Sequence, residues 1–195
     1  MSIIQDGKMI LLLSPFFYPE AISTGKYNTY LAKALKKHGH NIRVIASYPL
    51  YPDWVPSKTQ EKINGIDIVR GGLGVRYPRS QVIKRIILEF WYSFFVARNI
   101  IRYRKDIDIV IAIFPPVIFM IFANILMPRK VARVGIVHDL LGVMAKSDNK
   151  LSRRIISKMI KMVETYSLRK CNQVVCLSNS MRNVVISNYG IDSRR

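Results

Sequence analysis

The chain has 195 residues, and its 31 Lys and Arg against 12 Asp and Glu give it a formal net charge of +19. Half of the residues are hydrophobic, which excludes intrinsic disorder because disordered chains combine low hydrophobicity with high net charge. The positive charge indicates a polyanionic partner. The two cysteines are too few for a disulfide framework, so we expect a reducing compartment.

Short β-branched runs alternate with longer helical patterns along the chain. The pattern predicts strands at Lys8–Ser14, Asn41–Ser47, Ile63–Arg70, Ile107–Ile113, Val131–Val137 and Gln173–Leu177. It predicts helices at Thr24–His38, Val82–Lys105, Val117–Met127, Lys150–Arg169 and Asn179–Asn188. Parallel strands joined by helices are covered on both faces, so their sequences are continuously apolar, as these are. The fold class predicted is α/β, with a doubly wound, mostly parallel Rossmann-like sheet.

The apolar segment Ile109–Met127 has two interpretations. Its length suits a transmembrane helix. However, the pair Pro115-Pro116 lies near its middle, and the residues before the pair are β-branched. A strand followed by a helix with proline in its first turn explains the same residues, and we favour that interpretation.

The loop after the first predicted strand is a candidate binding site, because ligands in open α/β sheets bind outside the carboxyl ends of the strands. Gly25, at the start of the next helix, would let backbone N–H groups approach a phosphate, with the helix dipole favouring negative charge. The loop has neither the GxGxxG nor the GxxxxGK[ST] motif, so it does not indicate a dinucleotide or Mg-nucleotide enzyme. The alternative is that Ser23 or Thr24 only caps the helix.

His138 and Asp139 directly follow the strand Val131–Val137, at a carboxyl end that faces the same crevice. A histidine there can hydrogen-bond a substrate hydroxyl or exchange a proton, because its ordinary pKa lies near neutrality. The alternative is a histidine with a structural role only.

The predicted helix Val82–Lys105 has an apolar, aromatic-rich surface wider than one core-facing stripe, with basic residues near both ends. This arrangement is typical of a helix that touches a membrane interface. The membrane-contact residues predicted are Lys84, Arg85, Trp91, Arg98 and Arg102. The alternative is a helix buried between the sheet and a partner domain.

Nucleic acid is not an expected partner, because no helix-turn-helix, RNP or zinc-finger signature accompanies the charge. A metal site is not predicted either, since Cys171 and Cys176 lack both a CxxC spacing and a histidine cluster.

Several motifs occur in a specific order and spacing. They are Tyr18-Pro19-Glu20 with Thr24-Gly25-Lys26-Tyr27, Leu31–Leu35 with His38–Val44, Tyr48–Pro52, His138-Asp139, Val163–Tyr166, and Val174–Met181 with Gly190-Ile191. Together they resemble the N-terminal domain of family 4 glycosyltransferases, which are retaining enzymes with the GT-B fold. The resemblance is strongest to the branch that assembles colanic acid, O-antigen and capsule sugars.

The resemblance implies transfer of a sugar from a nucleotide-sugar co-substrate to a lipid-linked or polysaccharide acceptor, in cell-surface polysaccharide biosynthesis that includes lipopolysaccharide and capsule. It implies a peripheral protein on the cytoplasmic face of the plasma membrane, with no metal or other cofactor. The catalytic residues that it implies are His138 and Asp139. The substrate-binding residues are Glu20, Ser23, Thr24, Gly25, Lys26, Tyr51 and Trp54, of which the two aromatic side chains can stack on sugar rings or simply pack their loop.

The domain organisation expected is an acceptor-binding domain at residues 1–191 and the start of an interdomain linker at residues 192–195. The family's C-terminal nucleotide-sugar domain, with its E-x7-E motif, is absent from this sequence. We therefore expect the chain to be inactive by itself or to need a donor-binding half on a second chain. The alternative function is a non-catalytic basic module that binds an anionic membrane or a partner protein.

Overall fold

The computed structural model describes residues 7–59, 61–140 and 151–194, with side chains for all of these except 151–157. The strands are β1 (Met9–Leu13), β2 (Asn41–Ser47), β3 (Lys62–Ile63), β4 (Ile66–Gly71), β5 (Ile109–Phe114), β6 (Ala132–Val137) and β7 (Gln173–Cys176). The helices are α1 (Ser23–Lys37), α2 (Gln81–Tyr103), α3 (Ile118–Leu126), α4 (Leu151–Arg169) and α5 (Asn179–Tyr189).

The described strands form one sheet with the order β3-β4-β2-β1-β5-β6-β7. Every neighbouring pair is parallel except β3 with β4. After β1 the chain places β2, β3 and β4 on one side of it. It then returns to the other side of β1 for β5, β6 and β7. This reversal is the topological switch of a doubly wound sheet, and the predicted fold class is confirmed.

Both faces of the sheet are buried, as its apolar strands require. Leu11 and Leu13 of β1 lie in the larger core cluster with residues of α2, α3, α4 and α5. Ile10 and Leu12 point to the opposite face and pack in the smaller cluster, which α1 covers with Leu31 and Leu35 among its residues. The alternation follows from the two-residue period of a strand.

The predicted strand Ile63–Arg70 is two strands in the structure. Asn64 and Gly65 both have positive φ, at 49° and 74°, and they join β3 to β4 as an antiparallel hairpin. An Asn-Gly pair supplies this backbone geometry at low cost, because both residues tolerate positive φ. The turn was missed because β3 is only two residues long and shows no strand pattern of its own.

The segment Ile109–Met127 is a strand followed by a helix, as predicted. Pro115 and Pro116 separate β5 from α3, and the side chains of α3 enter the larger core cluster. No helix in the described ranges has the length and apolar character needed to cross a membrane.

Candidate functional site

A cleft of about 380 Å³ opens at the carboxyl ends of the strands, next to the switch between β1 and β5. Seven of the residues singled out in the sequence line it: Ser23, Thr24, Tyr51, Trp54, Arg85, His138 and Asp139. The predicted crevice is therefore present, and it joins loops from both halves of the sheet. Glu20, Gly25, Lys26, Lys84, Trp91, Arg98 and Arg102 do not line it.

The first turn of α1 forms one side of the cleft. Its N-cap residue is Ile22, and no side chain caps the helix, so the alternative in which Ser23 or Thr24 acts as a cap is not observed. The N–H groups that open a helix lack intrahelical acceptors. They carry the positive end of the helix dipole, which favours an anionic group at this side of the cleft.

Gly25 belongs to this turn and packs against Glu20. A Cβ built on Gly25 would lie 2.7 Å from the Cβ of Glu20, so packing alone accounts for the glycine. Lys26 is exposed and lies outside the cleft lining.

Glu20 is buried, and its carboxylate accepts hydrogen bonds from the backbone N–H groups of Leu50, at 2.5 Å, and Tyr51, at 3.2 Å. Burial raises the pKa of Glu20. Glu20 does not line the cleft, and its role as a substrate-binding residue stays a prediction. Its observed role is to fasten the loop after β1 to the loop that carries Tyr51 and Trp54.

Arg70 reinforces the same junction from β4. Its guanidinium donates to the carbonyl of Ser47, at 3.1 Å, and to the carbonyl of Tyr18. Burial lowers the pKa of Arg70 to about 10, and the nearby charge of Glu20 opposes this shift. Nothing in the sequence pattern singled out Arg70, because it binds backbone carbonyls at the end of β2 and in the loop after β1.

Aromatic side chains form a second side of the cleft. The Trp54 ring lies 5.7 Å from the Tyr51 ring and 6.4 Å from the Phe16 ring, measured between centroids. Trp54 is 7% exposed and has a φ of 55°, a conformation that costs a residue other than glycine about 1–3 kcal/mol. Tyr51 is 43% exposed, so it offers an open ring face to a ligand.

Lys84 packs over this aromatic group instead of facing the surface. Its Nζ lies 4.3 Å from the centroid of the Trp54 ring, and the residue is 6% exposed. The prediction that Lys84 contacts a membrane is therefore wrong: its ammonium group is held in a cation–π contact inside the protein.

His138 forms the third side of the cleft. Its backbone N–H donates to the carbonyl of Phe114, at 3.0 Å, and its ring centroid lies 6.5 Å from that of Tyr27 on α1. Burial lowers the pKa of His138, so its imidazole is neutral at neutral pH and can both donate and accept a hydrogen bond. The neighbouring Asp139 accepts a hydrogen bond from the N–H of Leu140.

Sequence reasoning missed Glu89 of α2, which also lines the cleft. Its Oε1 accepts hydrogen bonds from the N–H groups of Val117, at 2.7 Å, and Ile118, at 2.5 Å, where α3 begins. Burial raises its pKa, and the charge of Glu164 adds to the shift. A signal was available, because Glu89 is the single carboxylate in the 23 residues of α2.

The outward side of α2 is apolar and exposed. Ile83 and Ile86 are each 50% exposed, Phe90 is 54% exposed and Phe94 is 65% exposed. Arg98 and Arg102 are also exposed, whereas Trp91 is half-buried and stacks on Phe95 with ring centroids 5.2 Å apart. We call Ile83, Ile86, Phe90 and Phe94 the apolar row of α2.

In the described part of the chain, no group of three or more His, Cys, Asp or Glu residues is arranged to hold a metal ion.

Comparisons with known proteins agree with this architecture. Residues 24–195 match the model of Glycosyltransferase Family 4. No curated protein matches the sequence. Among solved structures, a sucrose-phosphate synthase from Thermosynechococcus elongatus is similar, with a TM-score of 0.57 and 14% identity over 92% of this chain and 81% of that one. At this identity the structural similarity establishes the fold alone.

Proposed function

The chain belongs to glycosyltransferase family 4, and we propose that it forms the acceptor-binding side of a sugar transfer in cell-surface polysaccharide biosynthesis, in the colanic acid, O-antigen and capsule branch. The donor is a nucleotide-sugar and the acceptor is lipid-linked or a polysaccharide. The observation that carries the proposal is that the uncapped first turn of α1 and the half-buried His138 line the same cleft.

The α1 side of the cleft suits the diphosphate of the donor. When the glycosidic bond of a nucleotide-sugar breaks, negative charge builds up on the departing diphosphate. Backbone N–H groups and the positive end of the α1 dipole lie where they stabilise that charge without having to reorganise. We propose that this stabilisation of the diphosphate uses the protein alone and needs no cofactor.

His138 and Asp139 suit the transferred sugar and its hydroxyl groups. A neutral imidazole donates from one nitrogen and accepts at the other, so it can bind one hydroxyl in a defined orientation. Partial burial of His138 favours that neutral form. The Asp139 carboxylate lies beside it as a further acceptor.

Tyr51 suits the acceptor sugar, and the buried Trp54 packs against it. The Tyr51 ring lies on the side of the cleft away from β6, and aromatic faces commonly stack on the apolar faces of sugar rings. The hydrogen bonds of Glu20 to this loop hold Tyr51 in position before the ligand arrives.

The outward side of α2 suits attachment to the cytoplasmic face of the plasma membrane. The apolar row can enter the interface, and the exposed Arg98 and Arg102 attract anionic headgroups, as does the net charge of +19. Vesicle flotation tests this attachment. We expect binding that requires anionic lipid and falls with added salt, and equal binding to neutral vesicles would contradict it. Binding without any transfer would favour the alternative of a non-catalytic membrane-binding module.

The nucleotide side of the site is the contribution that we assign to a donor-binding half. The test is co-expression with candidate donor-binding halves, followed by incubation with membranes and labelled nucleotide-sugars. We expect label in a lipid-extractable or polysaccharide product, and loss of that label in His138→Ala. The matched control is His38→Ala, which alters an exposed histidine at the far end of α1. Absence of transfer with every donor would contradict the proposal.

A further inference from the structure

The two edges of the sheet differ in how they are protected against pairing with another chain. At one edge, β3 carries Lys62, whose side chain is 82% exposed. At the other edge, β7 carries no Lys, Arg or Pro, and in the part of the chain that the structure describes it pairs with β6 alone. Charge and proline protect natural edge strands, because the unpaired N–H and C=O groups of an edge are a template for a further strand. The β7 edge lacks this protection.

The segment that contains β7 is also depleted of charge. Charged residues make up 22% of the chain, yet Arg182 is the single Lys, Arg, Asp or Glu in residues 171–191. Its guanidinium donates to the carbonyl of Ser193, at 2.9 Å. The segment still reaches the surface, because Val175 is 46% exposed and Leu177 is 56% exposed. Exposed apolar residues without charge around them are typical of the centre of a protein–protein interface.

The net charge of the chain indicates which partner this surface fits. An anionic partner is held best by exposed Lys and Arg, of which residues 171–191 offer a single one. A second copy of the chain carries the same +19, so two copies repel each other least where both lack charge. We propose that two copies pair edge to edge through β7, in antiparallel orientation, with Val175 opposite the same residue of the second copy. This inference goes beyond the proposed function and does not depend on it.

The geometry of such a pair is self-complementary. A two-fold axis at Val175 places the same patch on both sides of the contact, and the open N–H and C=O groups of the two edges can bond to each other. The axis is perpendicular to the sheet, so α2 lies on the same face of the joined sheet in both copies. The apolar rows of the two α2 helices therefore face the same side. The two clefts open at opposite ends of the joined sheet, since the paired strands run in opposite directions.

The contact is short, because β7 has four residues. We therefore expect a weak dimer, with a dissociation constant on the order of 10 μM. Sedimentation equilibrium of the parent chain, from about 5 to 500 μM, measures this constant because dimer formation depends on concentration. Raising the salt from about 0.1 to 0.5 M should tighten the dimer, since salt screens the repulsion between two positively charged copies.

The variant that tests the position of the contact is Val175→Lys. It brings two ammonium groups together at the two-fold axis, so we expect the dissociation constant to rise by about tenfold or more. The matched control is Ile125→Lys on α3, which adds the same charge at a residue that is 68% exposed and lies away from β7. This control should dimerise like the parent chain. Urea unfolding establishes that both variants are as stable as the parent.

A cross-link provides a second measurement that does not depend on the lysine variants. Cα atoms of directly opposed residues in antiparallel strands lie about 4.5–5.5 Å apart, which is within the range of a disulfide. Val175→Cys in a Cys176→Ser background should therefore form a disulfide-linked dimer on oxidation with copper phenanthroline. Ile125→Cys in the same background is the control and should remain largely monomeric.

Four results would overturn the inference: a monomer at every concentration, a dimer that weakens with added salt, an equal loss in Val175→Lys and Ile125→Lys, or no more cross-linking at position 175 than at position 125. An equal loss would move the contact away from β7, and weakening with salt would indicate copies bridged by a polyanion. Each measurement is made without a sugar-transfer reaction. A dimer without transfer would leave this inference standing, and transfer by a monomer would refute it and leave the proposed function.

Discussion

Gly25 and Glu20 pack so closely that a Cβ built on Gly25 would lie 2.7 Å from the Cβ of Glu20 and 3.0 Å from its carbonyl oxygen. The neighbouring atoms are backbone and the root of a buried side chain, which cannot move aside easily. The contact brings the start of α1 against the loop after β1, so it fixes the position of the first-turn N–H groups at the cleft.

We predict that Gly25→Ala destabilises the fold by about 1–3 kcal/mol, as overpacking of a close contact usually does. The free energy of unfolding, measured in urea, checks this. Gly74→Ala is the control, because a Cβ at Gly74 meets nothing within 4 Å. Equal stability of the two variants would show that the loop yields at Glu20 without cost.

Glu20→Ala should also destabilise the fold, since it removes the acceptor of the Leu50 and Tyr51 N–H groups. A buried donor left unsatisfied costs about 1–3 kcal/mol. The measurement is urea unfolding, and Asp53→Ala is the control because Asp53 is exposed in the same loop. If Glu20 instead served only as a substrate ligand, Glu20→Ala would be as stable as Asp53→Ala.

The fold was predictable because its strands are buried on both faces, and a run of β-branched residues between helices has few other arrangements. The bounds of β2 agree with the prediction at both ends. The β3–β4 hairpin was missed because β3 has only two residues, so only the turn residues Asn64 and Gly65 marked the break.

The site was predictable where it depends on topology, and not where it depends on packing between distant segments. Ser23, Thr24 and His138 follow strand ends, so the sheet itself brings them to one edge. By contrast, Lys84 shares the buried row of α2 with Leu88, and its ammonium group is accommodated there by the ring of Trp54, thirty positions earlier. The helical period gives the angles between residues, but it does not reveal which row meets the cleft.

Lys84 provides a prediction that separates packing from membrane contact. Lys84→Ala should lower the free energy of unfolding by about 1 kcal/mol, because both the stem and the ammonium contact with Trp54 are lost. Lys84→Met should recover part of this loss by keeping the stem. In vesicle flotation, Lys84→Ala should bind anionic vesicles as well as Lys105→Ala does. Lys105→Ala removes the same charge from an exposed position. A specific loss of flotation with unchanged stability would return Lys84 to the membrane surface.

Glu89 provides a prediction about pH. Burial and the charge of Glu164 raise the pKa of Glu89 above its ordinary 4.5, so between these two values the folded state binds more protons than the unfolded state. The free energy of unfolding contributed by this group is therefore fully present below pH 4.5 and falls as the pH rises through the raised pKa. Glu89→Gln removes the titration while its remaining oxygen can still accept from Val117 and Ile118, because both N–H groups bind Oε1.

We therefore expect the stability of Glu89→Gln relative to the parent chain to increase as the pH is raised from 4.5 toward 8 in a series of urea titrations. The control is Asp53→Asn, which makes the same carboxylate-to-amide change at an exposed position. A difference for Glu89→Gln that is constant with pH would mean that the carboxylate is ionised in the folded state at its ordinary pKa. The two N–H groups at the start of α3 would then offset burial, because they stabilise the charged form.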